Sequence, residues 1–98
     1  MIVESLFAGL DNSFSLQLMR GETSVELISI SSYRLDLSNG RAFTAPDLFI
    51  EKADGIVEII IGPLLIEADK GSHTCWLTTY DPGNINGIRW PNFKLKVK

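Results

Sequence analysis

Sulfur and imidazole groups are scarce in this chain of 98 residues, which has one cysteine and one histidine. Because Cys75 is alone, no intramolecular disulfide can form and the fold must be held together by packing, which fits folding in a reducing cytoplasm. One cysteine with one histidine also falls short of the usual ligand set of a structural zinc site. We therefore expect neither a metal nor a cofactor.

Basic residues are also few. Nine lysines and arginines stand against twelve aspartates and glutamates, which gives a net charge of −3. Proteins that bind nucleic acid usually need the opposite balance to neutralise phosphates, so we expect no nucleic-acid partner. The one local basic run, Lys94, Lys96 and Lys98, has strand spacing and would face solvent. We interpret it as aiding solubility and protecting a sheet edge.

Long hydrophobic runs are absent. The apolar residues among the first ten are too few and too interrupted for a signal peptide, and nothing longer suggests a membrane span. No long stretch places apolar residues at helical spacing either. We therefore expect a domain that is not exported by this route, has no membrane partner and has little helix.

Strict alternation of apolar and polar residues is what the chain does contain. It is clearest in Phe93–Lys98 and recurs in Phe14–Leu18, Tyr33–Leu37 and Val57–Ile59. A two-residue period is typical of strands with one dry and one wet face. The pattern predicts that the dry face includes Leu16, Leu35, Ile59 and Leu95. The length and the 45% hydrophobic content predict a single domain over residues 1–98.

Turn residues separate these segments. Asn39-Gly40 predicts a hairpin with a type I′ turn, and Asp54-Gly55 predicts a turn into a central strand within Ile56–Ile61. Residues 64–69 could form one helical turn, and residues 81–87 read as a turn-rich loop. About seven short strands without a βαβ pattern predict an all-β, immunoglobulin-like antiparallel sandwich; a small β-barrel is the alternative.

Catalytic chemistry has little support. His73 and Cys75 share one face of a predicted strand, but Leu77 has the same parity, so this face is interpreted as the core side and the thiol as an inert packing group. The glycines match no nucleotide-binding or P-loop pattern, and no nucleophile elbow is present. We expect a domain that is not an enzyme and has no catalytic residues.

The opposite face of the same strand holds the candidate interaction surface. If Cys75 and Leu77 point inward, then Trp76 and Tyr80 point outward. Three interpretations remain open: a second layer covers the aromatic rings, they form a protein interface, or they stack on carbohydrate. Carbohydrate binding would need polar groups beside the rings, for which Asn84, Asn86 and Arg89 are the nearby candidates. The complete predicted surface comprises Thr74, Trp76, Thr78, Tyr80 and Trp90, the last on condition that its strand pairs beside residues 72–80.

Several motifs together resemble a group of small phage and prophage proteins, and the likeness covers nearly the whole chain. They are Gly9-Leu10-Asp11-Asn12, Phe14-x-Leu16-x-Leu18-x-Arg20-Gly21, Asn39-Gly40, Ile59-Ile60-Ile61-Gly62, Gly71-x-His73-x-Cys75-x-Leu77-x-x-Tyr80-Asp81 and Gly87-Ile88-x-Trp90-Pro91-x-Phe93.

The resemblance implies an immunoglobulin-like module of the virion, tail or baseplate. It further implies synthesis in the bacterial cytoplasm, incorporation into a virion, and a protein partner, either another phage structural protein or a second copy of the chain. The partner would be bound through a sheet face or an edge strand. The resemblance supplies no catalytic residues.

Overall fold

The computed structural model describes residues 3–98, and in this range the chain forms strands and short 3-10 turns. No helix in the range is long and apolar enough to cross a membrane. The 3-10 turns are Leu27–Ser29, Pro46–Leu48, Ala53–Gly55, Gly62–Leu64 and Glu67–Asp69. The eleven strands are β1 (Val3–Leu6), β2 (Phe14–Gln17), β3 (Met19–Arg20), β4 (Thr23–Ser24), β5 (Ser32–Leu37), β6 (Ala42–Phe43), β7 (Phe49–Glu51), β8 (Ile56–Ile59), β9 (Gly71–Asp81), β10 (Asn84–Arg89) and β11 (Phe93–Val97).

Seven of these strands have four or more residues, in agreement with the predicted number. The alternating segments are strands with one buried face because each apolar side chain on that face leaves water while its polar neighbours stay wet. Leu16, Leu35, Ile59 and Leu95 are all buried, as the alternation predicts.

The larger sheet has six strands and is built around β9, whose eleven residues have neighbours on both edges. β5 pairs with β9 along one edge, with Leu35 opposite Leu77. On the other edge β11 pairs with the first half of β9, and β10 pairs with the second half. β6 lies beyond β5 and β1 lies beyond β11. Every side chain of β9 therefore has cross-strand neighbours that fix its position.

One pairing in this sheet is parallel. β1 runs beside β11 in the same direction, with Leu6 opposite Val97, whereas the other pairs are antiparallel. The Lys98 amide donates to the Leu6 carbonyl at 2.9 Å, and the Ala8 amide donates to the Lys98 carbonyl at 3.0 Å. These bonds continue the ladder beyond the two strands.

The smaller sheet has the order β2-β8-β7, with the β-branched strand β8 at its centre as predicted. Aromatic pairs connect the two sheets: Phe14 lies against Phe93 with ring centroids 5.6 Å apart, and Tyr33 stacks on Phe49 at 5.2 Å. The core between the sheets also contains Leu6, Leu35, Leu37, Val57, Ile59, Ile61, Leu65, Cys75, Leu77, Leu95 and Val97. The domain is an all-β sandwich, and β3 and β4 form a small separate hairpin.

The hairpin predicted at Asn39-Gly40 connects β5 to β6, but its turn type differs. Only Gly40 has a positive φ, at 92°, and the Leu37 amide donates to the Arg41 carbonyl at 2.9 Å. The loop thus has three residues, for which one left-handed glycine is enough. Two successive positive φ angles, the feature of a type I′ turn, occur instead at Asp54 (60°) and Gly55 (73°).

The prediction of a loop over residues 81–87 is wrong, because β10 already begins at Asn84. Asp81 tightens the turn by accepting a 2.9 Å hydrogen bond from the Gly83 amide. The register then shifts between Asn84 and Ile88, and Gly87 adopts a φ of 90° within this bulge. The turn-forming residues Asn84 and Gly87 therefore lie within a bulged strand and not in a loop.

The helical turn predicted for residues 64–69 corresponds to two 3-10 turns, Gly62–Leu64 and Glu67–Asp69.

Candidate interaction surface

The outer face of the larger sheet is the side turned away from the smaller sheet. Along β9, Cys75 and Leu77 are 0% and 1% exposed in the core, and His73 and Thr79 are also buried. Strand alternation therefore directs Thr74, Trp76, Thr78 and Tyr80 to the outer face, which is the arrangement that the sequence predicts. Thr74, Trp76 and Tyr80 are half-buried, whereas Thr78 is 8% exposed.

Neighbours in the same sheet account for the partial burial of the two aromatic rings. The Arg89 guanidinium carbon lies 5.6 Å from the centroid of the Trp76 ring, within the range of a cation–π contact. Tyr80 lies against Gly87, where a Cβ atom would come within 2.8 Å of the Tyr80 ring and 2.7 Å of the Thr78 methyl group. Both rings are thus held in place by β10.

A row of three side chains crosses the outer face beside these rings. Arg34 of β5 and Arg89 of β10 both pair with Thr78, one from each side. Arg34 also binds Asp36 on its own strand, with Nε 2.9 Å and 3.1 Å from the two carboxylate oxygens. The two arginines, Asp36, Thr78 and Tyr80 line a shallow depression of about 330 Å³ together with Asn86 and Gly87.

Trp90 lies on the other side of the sheet, so its predicted place in the aromatic surface is wrong. Its indole Nε1 donates to the buried Thr79 hydroxyl at 2.9 Å, and its ring packs against the core. The reason is register: Arg89 pairs with Thr78, so the next residue faces inward beside Leu77, and the Trp90 amide donates to the Leu77 carbonyl at 2.9 Å. Pro91 follows, and β11 begins only at Phe93.

Lysines extend the outer face along the first half of β9, on the same edge as β10. Lys94 pairs with Thr74 and Lys96 pairs with Ser72, and both lysines are exposed. The Thr74 amide donates to the Ser38 hydroxyl at 3.1 Å, which ties this part of β9 to the β5–β6 loop. The outer face therefore combines aromatic rings, hydroxyl groups and cations.

His73 and Cys75 do not form a nucleophilic pair. The His73 Nε2 lies 2.6 Å from the Asp69 carbonyl oxygen, and because a carbonyl can only accept, this nitrogen carries the proton. Burial raises the pKa of the Cys75 thiol to about 12, so it remains protonated near neutral pH. Both groups pack the core, as the sequence predicts.

A buried polar cluster around Asp69 was not identified from the sequence. The Asp69 carboxylate is 1% exposed and accepts hydrogen bonds of 2.9 Å from the Asn39 side chain and from the Ile66 amide. Arg41 approaches the same carboxylate at 3.4 Å and donates to the Leu64 carbonyl at 3.2 Å. Asp69 ends a 3-10 turn two residues before a glycine, so in sequence it looks like an ordinary turn residue, and only the fold brings Asn39 to it.

A second depression lies between the sheets, lined by Tyr33, Thr44, Phe49 and Glu51. The Tyr33 hydroxyl donates to a Glu51 carboxylate oxygen at 2.6 Å, and burial, together with this bond, raises the pKa of the phenol.

Among the described residues no three histidine, cysteine, aspartate or glutamate side chains are grouped so that they could hold a metal ion.

No protein-family model matches the chain, and comparison with curated proteins finds no match. The resemblance to phage proteins therefore remains a prediction from the sequence motifs.

Proposed function

We propose that this domain is a non-catalytic structural module of a phage or prophage, associated with the virion or tail, that binds a protein partner through the outer face of its larger sheet. The observation that supports the binding role is the outer face itself, where Trp76 and Tyr80 lie beside the exposed Arg34 and Arg89. The phage assignment is supported by the sequence resemblance alone.

The composition and order of the outer face favour protein binding. Tryptophan, tyrosine and arginine are the residue types that most often dominate the energy of protein interfaces. Here the rings are already ordered, since Arg89 lies over Trp76 and Gly87 supports Tyr80. A surface that is ordered before binding loses less conformational entropy when a partner docks.

The edge of β10 that faces away from β9 has no partner strand among the described residues, and it is a weaker candidate. Although Ile85 is exposed there, the register shift between Asn84 and Ile88 interrupts the ladder that a partner strand would have to extend. Bulges of this kind protect edges against pairing with other chains.

Site-specific photo-crosslinking tests the proposed face. A photoreactive amino acid at Thr74 on the outer face should give crosslinks to a discrete protein in lysate of the source cells or in virions. The matched control places the same group at Ser15, which is exposed on β2 of the smaller sheet. Equal crosslinking from both positions, or crosslinking from Ser15 alone, would contradict the proposal.

Self-association is tested separately by size-exclusion chromatography with light scattering. If the partner is a second copy, the mass should rise with concentration in the wild type and in Ile85→Ser, and stay monomeric in Trp76→Ser. Ile85 is the control because it is 78% exposed and belongs to the β10 edge. A monomeric wild type would restrict the proposal to a different protein as partner.

Carbohydrate binding is the second candidate, and one observation favours it. Asn86 and Arg89 line the same depression as Tyr80, so polar groups lie beside an aromatic ring as sugar recognition requires. Against it, Arg89 occupies one side of the Trp76 ring, on which a sugar would stack. A glycan array without a hit would remove this candidate.

A further inference from the structure

Building on the proposed function, we propose that the outer face recognises an acidic segment of its protein partner, and that one partner carboxylate binds between Arg34 and Arg89. This names the chemistry of the partner, which the proposed function leaves open.

The first argument is the distribution of charge. The strand positions of the outer face hold four cations, Arg34, Arg89, Lys94 and Lys96, and one carboxylate, that of Asp36. The face therefore has a local charge of +3, whereas the whole chain has −3. Such an asymmetry draws an acidic partner to the outer face and orients it there, because the rest of the molecule is acidic and repels it.

The second argument is the geometry of the row. Neighbouring strands are about 4.8 Å apart, so the Cα atoms of Arg34 and Arg89, with Thr78 between them, are separated by about 10 Å. Two long side chains can converge over this gap, and the depression that they line has room for a carboxylate group. Thr78 lines the same depression, and a threonine hydroxyl can donate a third hydrogen bond.

The third argument is that both arginines have N–H donors left to bind a partner. Among the described residues, Arg34 donates only its Nε–H, to Asp36, which leaves its terminal NH₂ groups for another acceptor. Within residues 3–98, the ion pairs involve Arg34, Arg41, Lys52 and Lys70, and Arg89 has a ring contact but no carboxylate partner. Charge-assisted bonds from arginine to carboxylate are among the strongest that an exposed site can form.

A single-stranded nucleic acid is the other polyanion to consider, and the structure favours it less. Nucleic acids bind such sheets by stacking bases on free aromatic faces. Arg89 covers one side of Trp76, and Tyr80 is packed on Gly87. The net charge of −3 also opposes a long phosphate chain more than a short acidic segment.

The test is an NMR titration of the ¹⁵N-labelled full chain with a hexaglutamate peptide, with hexaglutamine as the uncharged control. We expect shifts at the Arg34 and Arg89 Nε–H groups and at the Thr78 amide, weakened by raising salt from about 50 to about 500 mM because screening shortens the range of the attraction. Hexaglutamine should cause none of these shifts.

Three variants sharpen the test. Arg89→Gln should weaken hexaglutamate binding about fivefold or more, since it removes one of the two charged donors. Asp36→Asn should strengthen it by about two- to fivefold, because it releases Arg34 from a competing carboxylate. Arg20→Gln makes the same charge change at an exposed position of β3, away from the outer face, and should change the affinity less than twofold. A gain of binding in Asp36→Asn cannot come from misfolding.

Three results would overturn the inference: no saturable shifts with hexaglutamate, equal losses in Arg89→Gln and Arg20→Gln, or tighter binding of a thymidine dodecanucleotide than of hexaglutamate with shifts at the Trp76 indole. The proposed function has its own readout. If Thr74 crosslinks a partner while hexaglutamate does not bind, this inference fails and the proposed function stands; if Thr74 gives no crosslink, the proposed function fails whatever hexaglutamate does.

Discussion

The Asn39 side-chain amide donates a 2.9 Å hydrogen bond to the Asp69 carboxylate, and thirty residues of sequence separate the two. The bond joins the β5–β6 loop to the 3-10 turn that precedes β9. Because the carboxylate is 1% exposed, its removal leaves the Asn39 and Ile66 donors of two part-buried hydrogen bonds without their acceptor. We expect Asp69→Ala to lower the free energy of unfolding by about 3 kcal/mol.

Chemical denaturation followed by circular dichroism measures this loss. Asp11→Ala is the matched control, since Asp11 is exposed in the β1–β2 loop and should change stability by less than about 0.5 kcal/mol. Similar losses in the two variants would show that the Asp69 cluster does not stabilise the fold.

Gly87 and Gly40 form a natural comparison of steric effects. Their φ angles are 90° and 92°, so alanine is strained by the backbone at both positions. A Cβ atom at Gly40 meets nothing within 4 Å, whereas one at Gly87 collides with Thr78 and Tyr80. Gly87→Ala should therefore cost about 1–2 kcal/mol more than Gly40→Ala and should shift the Tyr80 ring resonances, which NMR would detect. Equal costs would mean that Gly87 is needed only for its φ angle.

Thr79 supplies the acceptor for the Trp90 indole, so Thr79→Val should leave the indole N–H without its partner. We expect a loss of about 1–2 kcal/mol in unfolding free energy. In a Trp90→Phe background the same substitution should cost less, since the donor is already gone. A double-mutant cycle with no coupling between the two positions would contradict the assigned bond.

Cys75 makes stability depend on pH in the alkaline range. Its pKa rises from 9.0 to about 12 on folding, so between these values the unfolded thiol loses its proton while the folded thiol keeps it. The folded state is thus favoured fully below pH 9 and loses this advantage as pH rises, by about 1.4 kcal/mol per pH unit. In Cys75→Ala the slope of unfolding free energy against pH should be shallower by this amount, and an unchanged slope would contradict the burial effect.

Alternation in the sequence was a reliable guide to which side chains are buried, because burial along a strand depends mainly on parity. Leu16 and Leu95, on opposite sheets, and Trp76, on the outer face, all lie as that rule predicts. The prediction for Trp90 is wrong because it depended on strand pairing alone: β10 does pair beside β9, but its register places Arg89 on the outer face and Trp90 on the inner face.

Contacts between residues that lie far apart in the chain could not be predicted from the sequence, for a different reason. Neither the contact of Asn39 with Asp69 nor the convergence of Arg34 and Arg89 on Thr78 has a local signal, since each depends on which strands become neighbours. The positive charge of the outer face was missed for the same reason, as only the Lys94 and Lys96 part of it is contiguous in the chain.

The parallel pairing of β1 with β11 has a mechanical consequence. If tension is applied to the start of β1 and the end of β11, the two strands are pulled lengthwise past each other, with Leu6 sliding against Val97. All the hydrogen bonds between them then carry the load together, whereas an antiparallel terminal pair would be opened one bond at a time. Single-molecule stretching should therefore meet its main resistance at this pair of strands.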